Sequence, residues 1–265
     1  MPGRLPRVTK TEAVVLRYRR LGEADRIVTL LTPGRGKVDA VAKGVLRARS
    51  KLAGHLEPAT HVEVVLAHGR NLDIVTQAQT VEGFVTLHDD LERLSSAMYL
   101  VELADRFTVE QPAGSEGRAV YELLLASLLR LARGDGLQLV TRTFELALLE
   151  ITGFRPEWHV CIGCGQPVEP ADVRWSAIGG GIVCIDCRAA HPEASPLDPT
   201  ALKVLRAFQA GPYEQAARVR LTPPLASEIE RVMYELMQSV AERELKSQQF
   251  VTAARRAGAA GAQRS

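Results

Sequence analysis

Apolar positions in the first eighty residues come in short runs separated by turn residues. Candidate strands fall near 11–17, 26–32, 37–43, 60–67 and 72–82. In the fourth, Val62, Val64 and Leu66 share one face, the mark of a half-buried strand. Pro33-Gly34-Arg35-Gly36 and His68-Gly69-Arg70-Asn71 are hairpin turns between runs. Five short strands with one long connection, 44–59, fit a small closed barrel, and the count alone admits an OB-fold or an SH3-like barrel.

From about residue 88 the period becomes helical. Leu91, Leu94, Met98, Val101 and Ala104 predict one buried stripe, with Asp89 and Asp90 in a first turn where carboxylates suit the helix dipole. Pro112 is expected to stop that helix. Further helices are predicted over 117–133, with Leu124, Leu128 and Leu131 inside and Gly134 after its end, and over 137–152 before Gly153. Pro199 opens a short helix to about 210, and Thr222 before Pro223 starts a last one over 223–246. The fold class read from this order is multi-domain α+β. The expected divisions are a barrel over 1–82, helical parts over 83–158 and 193–250, a cysteine knuckle inserted at 159–192, and a disordered tail over 251–265.

Charge is segregated along the chain. Residues 1–82 carry 14 Lys/Arg and 8 Asp/Glu, a net of +6, whereas 83–265 carry 19 and 23, a net of −4. Between Arg35 and Lys51 stand six cations (Arg35, Lys37, Lys43, Arg47, Arg49, Lys51) against one acid, Asp39. Such density beside an intact strand pattern predicts a folded surface facing polyphosphate; the plain alternative is a solvated loop. The candidate DNA-contacting residues are these six and Arg20. Residues 1–83 contain a single aromatic, Tyr18, where strand binders that grip by stacking carry several. Binding is therefore expected to run through phosphates, with bases left free.

Cys161-Ile-Gly-Cys164 and Cys184-Ile-Asp-Cys187 make two C-x2-C pairs with nineteen residues between them and use every cysteine in the chain. Each pair grips from one tight turn, and four soft sulfurs complete a tetrahedron around zinc. With four thiolates and no open position, one structural Zn2+ per chain is expected. Unmetallated thiols are the alternative, and a redox C-x-x-C lacks its usual surrounding frame. His191 is a conceivable substitute ligand.

No apolar run reaches the roughly eighteen residues of a membrane span, and the N-terminus lacks the apolar core of a signal peptide. A cytoplasmic address follows, in which reduced thiols are the norm. The chain has no G-x-x-x-x-G-K-[S/T], no H-E-x-x-H and no G-x-S-x-G, and adjacent Asp89 and Asp90 do not face one another. No catalytic residue is assigned and no enzyme activity is expected.

The run Gly22-Glu-Ala-Asp-Arg-Ile-Val-Thr-Leu-Leu-Thr32, then Gly36-Lys37, Ala42-Lys-Gly44 and Ser50-Lys-Leu-Ala-Gly54 leading to Leu56-Glu-Pro58, resembles the N-terminal domain of the RecO family of bacterial recombination mediators. The likeness continues through the cysteines and Leu245-Lys246-Ser247 with Phe250. It implies an OB-fold for the barrel, although some members of the family lack the cysteines. It also implies binding of single- and double-stranded DNA, annealing of complementary strands, and a partnership with RecR in loading RecA onto strands coated by single-strand-binding protein. The acidic-hydrophobic tail of that protein would need an apolar groove with a basic rim, for which Arg130, Arg133, Arg142 and Arg206 are the candidates. Two other classes compete: a zinc-stabilised protein–protein adaptor with incidental DNA binding, and a metal-dependent hydrolase or nuclease.

Overall fold

The computed structural model describes residues 8–109 and 114–262, with side chains through residue 242. The chain divides into two compact units, Met1–Gly153 and Phe154–Ser265.

The first unit begins with a closed barrel of five strands: β1 (Val8–Leu21), β2 (Asp25–Thr32), β3 (Gly36–Ala42), β4 (His61–Ala67) and β5 (Asp73–Glu82). The barrel order is β1-β2-β3-β5-β4. β1 serves two partners, because an irregularity between Val15 and Arg17 turns it from β4 (Val8 to Val14) to β2 (Val14 to Leu21). Closure comes from a short parallel contact, Ala40 with Asp73 and Val41 with Ile74. This is the OB arrangement, and the bore is filled by Ala13, Val15, Val28, Leu30, Val38, Ala40, Val62, Val64, Leu66 and Val75. Small and β-branched side chains suit so narrow an interior. β1 starts earlier and ends later than its apolar run predicts, since paired backbone carries it into the polar segment Arg17–Arg20.

A short helix α1 (Val85–His88) leads to α2 (Leu91–Phe107), α3 (Ser115–Arg133) and α4 (Leu137–Ile151). Asp90 is the cap of α2 rather than a first-turn residue, accepting hydrogen bonds from the Glu92 and Arg93 amides. The predicted stripe of α2 holds at its C-terminal end, where Val101 and Ala104 are buried, and fails at its start. Leu91 and Met98 are exposed, and Ala97, Leu100, Val101, Leu103, Ala104 and Phe107 face inward. Ala97 contributes to the contact face alongside Leu100, Leu103 and Phe107, so the large side chains at the helix start mislead on its position. Pro112 lies outside the described residues. In α3, Leu124, Leu128 and Leu131 are buried as expected, and Gly134 ends the helix at φ +95°.

These helices pack with the barrel in one compact unit, across the division expected at residue 83. Asp105 of α2 accepts Arg17 Nε at 2.7 Å and Lys37 Nζ at 3.1 Å. Tyr121 of α3 donates to Glu12 at 3.2 Å and lies 3.1 Å from His61 Nε2. A fully buried Glu145 takes Arg142 at 2.8 Å and the Tyr99 hydroxyl at 2.8 Å. Burial and that carboxylate hold the Tyr99 phenol well above its ordinary range.

The second unit holds a three-stranded sheet of order β7-β6-β8, made of β6 (Arg174–Ser176), β7 (Gly181–Val183) and β8 (Ser195–Pro196). Buried Trp158 and Trp175 pack at 4.7 Å between ring centroids. The helices are α5 (Pro199–Ala210), capped by Asp198, then α6 (Tyr213–Ala216) and α7 (Pro223–Ala262). Helical backbone thus continues to Ala262, past 246 and into the tail expected to be disordered; its alanines and arginines are strong helix formers. No helix among the described residues is long and apolar enough to cross a membrane.

Candidate nucleic-acid interface and metal centre

The connection from Lys43 to Thr60 is long but anchored. Gly44 donates to Asp25 Oδ1 at 2.7 Å and Leu46 to the Ala24 carbonyl at 3.0 Å, tying its start to the β1–β2 turn. Val45 and Leu56 are buried in the barrel core, and Leu52 packs against it. At the far end Ala59 donates to the Val15 carbonyl at 2.9 Å and Val15 to Thr60 at 3.0 Å. Apolar residues therefore act as pegs, and the charged residues between them turn outward. Lys43, Arg47, Arg49 and Lys51 are exposed, and among the described residues their side chains have no hydrogen bond or ion pair. Four cations without internal partners on a pinned loop give a positive field that a phosphate chain can neutralise.

The seven predicted cations do not share one fate. Arg20 is exposed, with a contact to the Glu23 carbonyl at 3.4 Å. Arg35 is bound to the buried carboxylate of Asp73, which also accepts from His68 Nδ1 at 3.0 Å. Lys37 is nearly buried against Asp105 and donates to its carbonyl at 2.6 Å. Arg35 and Lys37 therefore build the unit, an outcome that loop composition could not reveal because both carboxylates lie far along the sequence. The proposed groove rim also loses two members. Arg142 is buried on Glu145, and Arg206 donates to the Trp158 and Val168 carbonyls at 2.8 and 2.6 Å. Arg133 is exposed.

One arrangement escaped the sequence reading. Arg26 on β2 lies over the ring of Tyr18 on β1, 3.8 Å from its centroid, and donates to Glu57 at 2.8 Å. The only sequence signal was Tyr18 standing alone among the early residues. Its partners follow from strand register, which places Arg26 diagonally across.

In the second unit the four cysteine sulfurs converge, all within 4.8 Å of one another. Cys164 and Cys184 Sγ are 3.9 Å apart. A zinc–sulfur bond of about 2.3 Å implies tetrahedron edges of roughly 3.8 Å, so the set fits Zn2+. Burial opposes ionisation of Cys161, but the amides of Cys184, Cys164 and Gly163 outweigh it and bring the thiol down to about 6. Hydrogen bonds with Cys184 and Cys164 push Cys187 up to about 12. A metal would claim all four as thiolates and supply folding free energy rather than a reactive centre. Gly163 is needed for close approach: a Cβ there would sit 3.1 Å from Cys187 Sγ and 3.2 Å from His191 Nε2. His191 lies beside the cluster with Nδ1 3.4 Å from Glu193, and it is outside the converging set.

The two units together define a protein with an OB barrel bearing an unpaired cationic loop, followed by a four-cysteine ribbon on a helical support. Comparison with known proteins is specific. The family model for Recombination protein O N terminal matches residues 7–84, and that for Recombination protein O C terminal matches residues 88–249. The DNA repair protein RecO of Roseiflexus sp. (strain RS-1) is 39% identical over 92% of this chain and 85% of its own length. Those of Dehalococcoides mccartyi (strain 195) and Heliobacterium modesticaldum are 36% and 39% identical, covering 91% of this chain and 94% and 88% of theirs. The chain belongs to the RecO family, and a role in DNA repair comes with that membership.

Proposed function

We propose that this protein is a non-enzymatic DNA-binding mediator of recombination. It binds single- and double-stranded DNA through phosphates and anneals complementary strands. With RecR it assists RecA loading on strands coated by single-strand-binding protein, whose tail it also engages. The observation that carries the DNA-binding core of this reading is the pinned loop with Lys43, Arg47, Arg49 and Lys51 exposed and free of internal partners. Two strands repel through their backbones, and a surface that neutralises phosphate while leaving most bases uncovered lowers that barrier to pairing. The RecR, RecA and tail steps rest on family membership alone. One structural zinc per chain, held by Cys161, Cys164, Cys184 and Cys187, completes the proposal.

The test is charge reversal at Lys43, Arg47 and Arg49 together, with DNA affinity read across a salt titration. Binding should weaken at least tenfold for unrelated sequences alike, and the salt slope should flatten by about one unit per lost phosphate contact. A folded triple variant with unchanged affinity and slope refutes the assignment.

A further inference from the structure

Tyr18 is the single aromatic among residues 1–83, and its surroundings are those of a built platform. Strand register pairs Tyr18 with Val28 and Arg20 with Arg26, so Tyr18, Arg20, Arg26 and Val28 share one sheet face. Val28 is in the barrel core, so this face is the inner one, and Tyr18 stands where it leaves the bore toward the β1–β2 turn. The Arg26 guanidinium stacks on the ring at 3.8 Å and is itself fixed by Glu57 at 2.8 Å. Glu57 belongs to the same connection that carries the free cations, and that connection is tied to the turn through Asp25 and Ala24. The ring is thus backed by a guanidinium that Glu57 holds in place, yet Tyr18 remains 38% exposed. A cation-backed ring open to solvent, on the strand pair to which the loop of unpaired lysines and arginines is tied, is poorly explained by packing alone.

We infer that Tyr18, backed by Arg26, stacks against one nucleobase of a single strand whose phosphates lie on the Lys43–Lys51 loop. The inference rests on the DNA-binding reading above and deepens it by giving the barrel a base contact that duplex DNA, with its bases already stacked, cannot use. One held base per molecule leaves the neighbouring bases free to pair, which is compatible with annealing. Base–aromatic stacking tolerates any sequence, so no sequence preference follows.

The experiment compares two labelled oligonucleotides of equal length and charge, one of mixed sequence and one wholly abasic, on the full-length chain. The unaltered protein should bind the base-bearing strand roughly tenfold more tightly, the scale of one base–aromatic stack, and that ratio should persist as salt is raised. Tyr18→Ala should bind both strands equally, while Tyr18→Phe, which retains the ring, should keep the preference. Equal binding of the two strands by the unaltered protein overturns the inference without requiring any variant to fold. So does a Tyr18→Ala protein that retains the preference. If the unaltered protein binds neither strand, the DNA-binding reading itself fails and takes this inference with it.

Discussion

Asp73 illustrates how a single side chain can be read only after the fold is known. It sits at the start of β5, opposite Ala40, where the barrel closes. Burial opposes its charge, but Arg35 and His68 more than compensate, so its carboxyl is held below the ordinary 3.8. The unfolded chain takes up this proton near 3.8 and the folded chain only at lower pH. The resulting stabilisation is therefore complete above that pH and is lost as pH falls through the folded value. Asp73→Asn should be less stable at neutral pH and should show a flatter decline in stability between about pH 5 and pH 3. Urea melts across that window decide it, and parallel declines in the two proteins would rule the assignment out. In the sequence Arg35 read as a phosphate contact because its acid lies thirty-eight residues away. The exposure of Lys43, Arg47, Arg49 and Lys51 was legible, because they lie on one local charged stretch and need no distant partner.

Among the elements, α3 is placed by a contact that helix propensity opposes. A Cβ built on Gly117 would lie 2.9 Å from the Cα of Gly36 at the start of β3. That neighbour is backbone and cannot rotate aside. Gly117→Ala should raise intrinsic helix propensity by about 1 kcal/mol, yet overpacking of this kind costs roughly 1–3 kcal/mol. A lower melting temperature is the expected outcome, and a higher one would mean that helix and strand are free to separate. The element boundaries themselves were largely legible. The five strands, three of the four helices of the first unit and the start of α7 follow from alternation, periodicity, Gly134 and Pro223. The contact face of α2 was legible only in part: Val101 and Ala104 were foreseen, whereas Ala97, Leu100, Leu103 and Phe107 were not, and Leu91 and Met98 turn outward.

At the scale of the whole molecule, the two units draw their stability from different sources. The first has a barrel core sealed by helices through Asp105, Glu12, His61 and Tyr121. The second includes a ribbon of very short strands, and its small cysteine cluster has little apolar surface of its own. Metal should therefore matter to one unit and not the other. Purified without chelator, the chain should contain one zinc equivalent. Cys184→Ser should lose it, with hydrogen-exchange protection falling across 158–197 and staying unchanged in 8–109. Full protection of the ribbon in zinc-free protein would show that packing alone holds it.

Sequence by itself determined the closed barrel, the longer helical segments, the basic loop and the cysteine quartet. Each is a local pattern: a period of two, a period near 3.6, a run of charge between pegs, a C-x2-C spacing. Tertiary structure alone decided that the helices after residue 83 pack with the barrel, since they join it through single residues distant in sequence. It also decided which cations are free. Arg35, Lys37, Arg142 and Arg206 look like surface charge in the chain and are bound internally in the fold, because a carboxylate or carbonyl brought within 3.1 Å outcompetes solvent. Tyr18 follows the same logic in reverse. Its neighbours in sequence say nothing of stacking, and only strand register sets Arg26 beneath its ring.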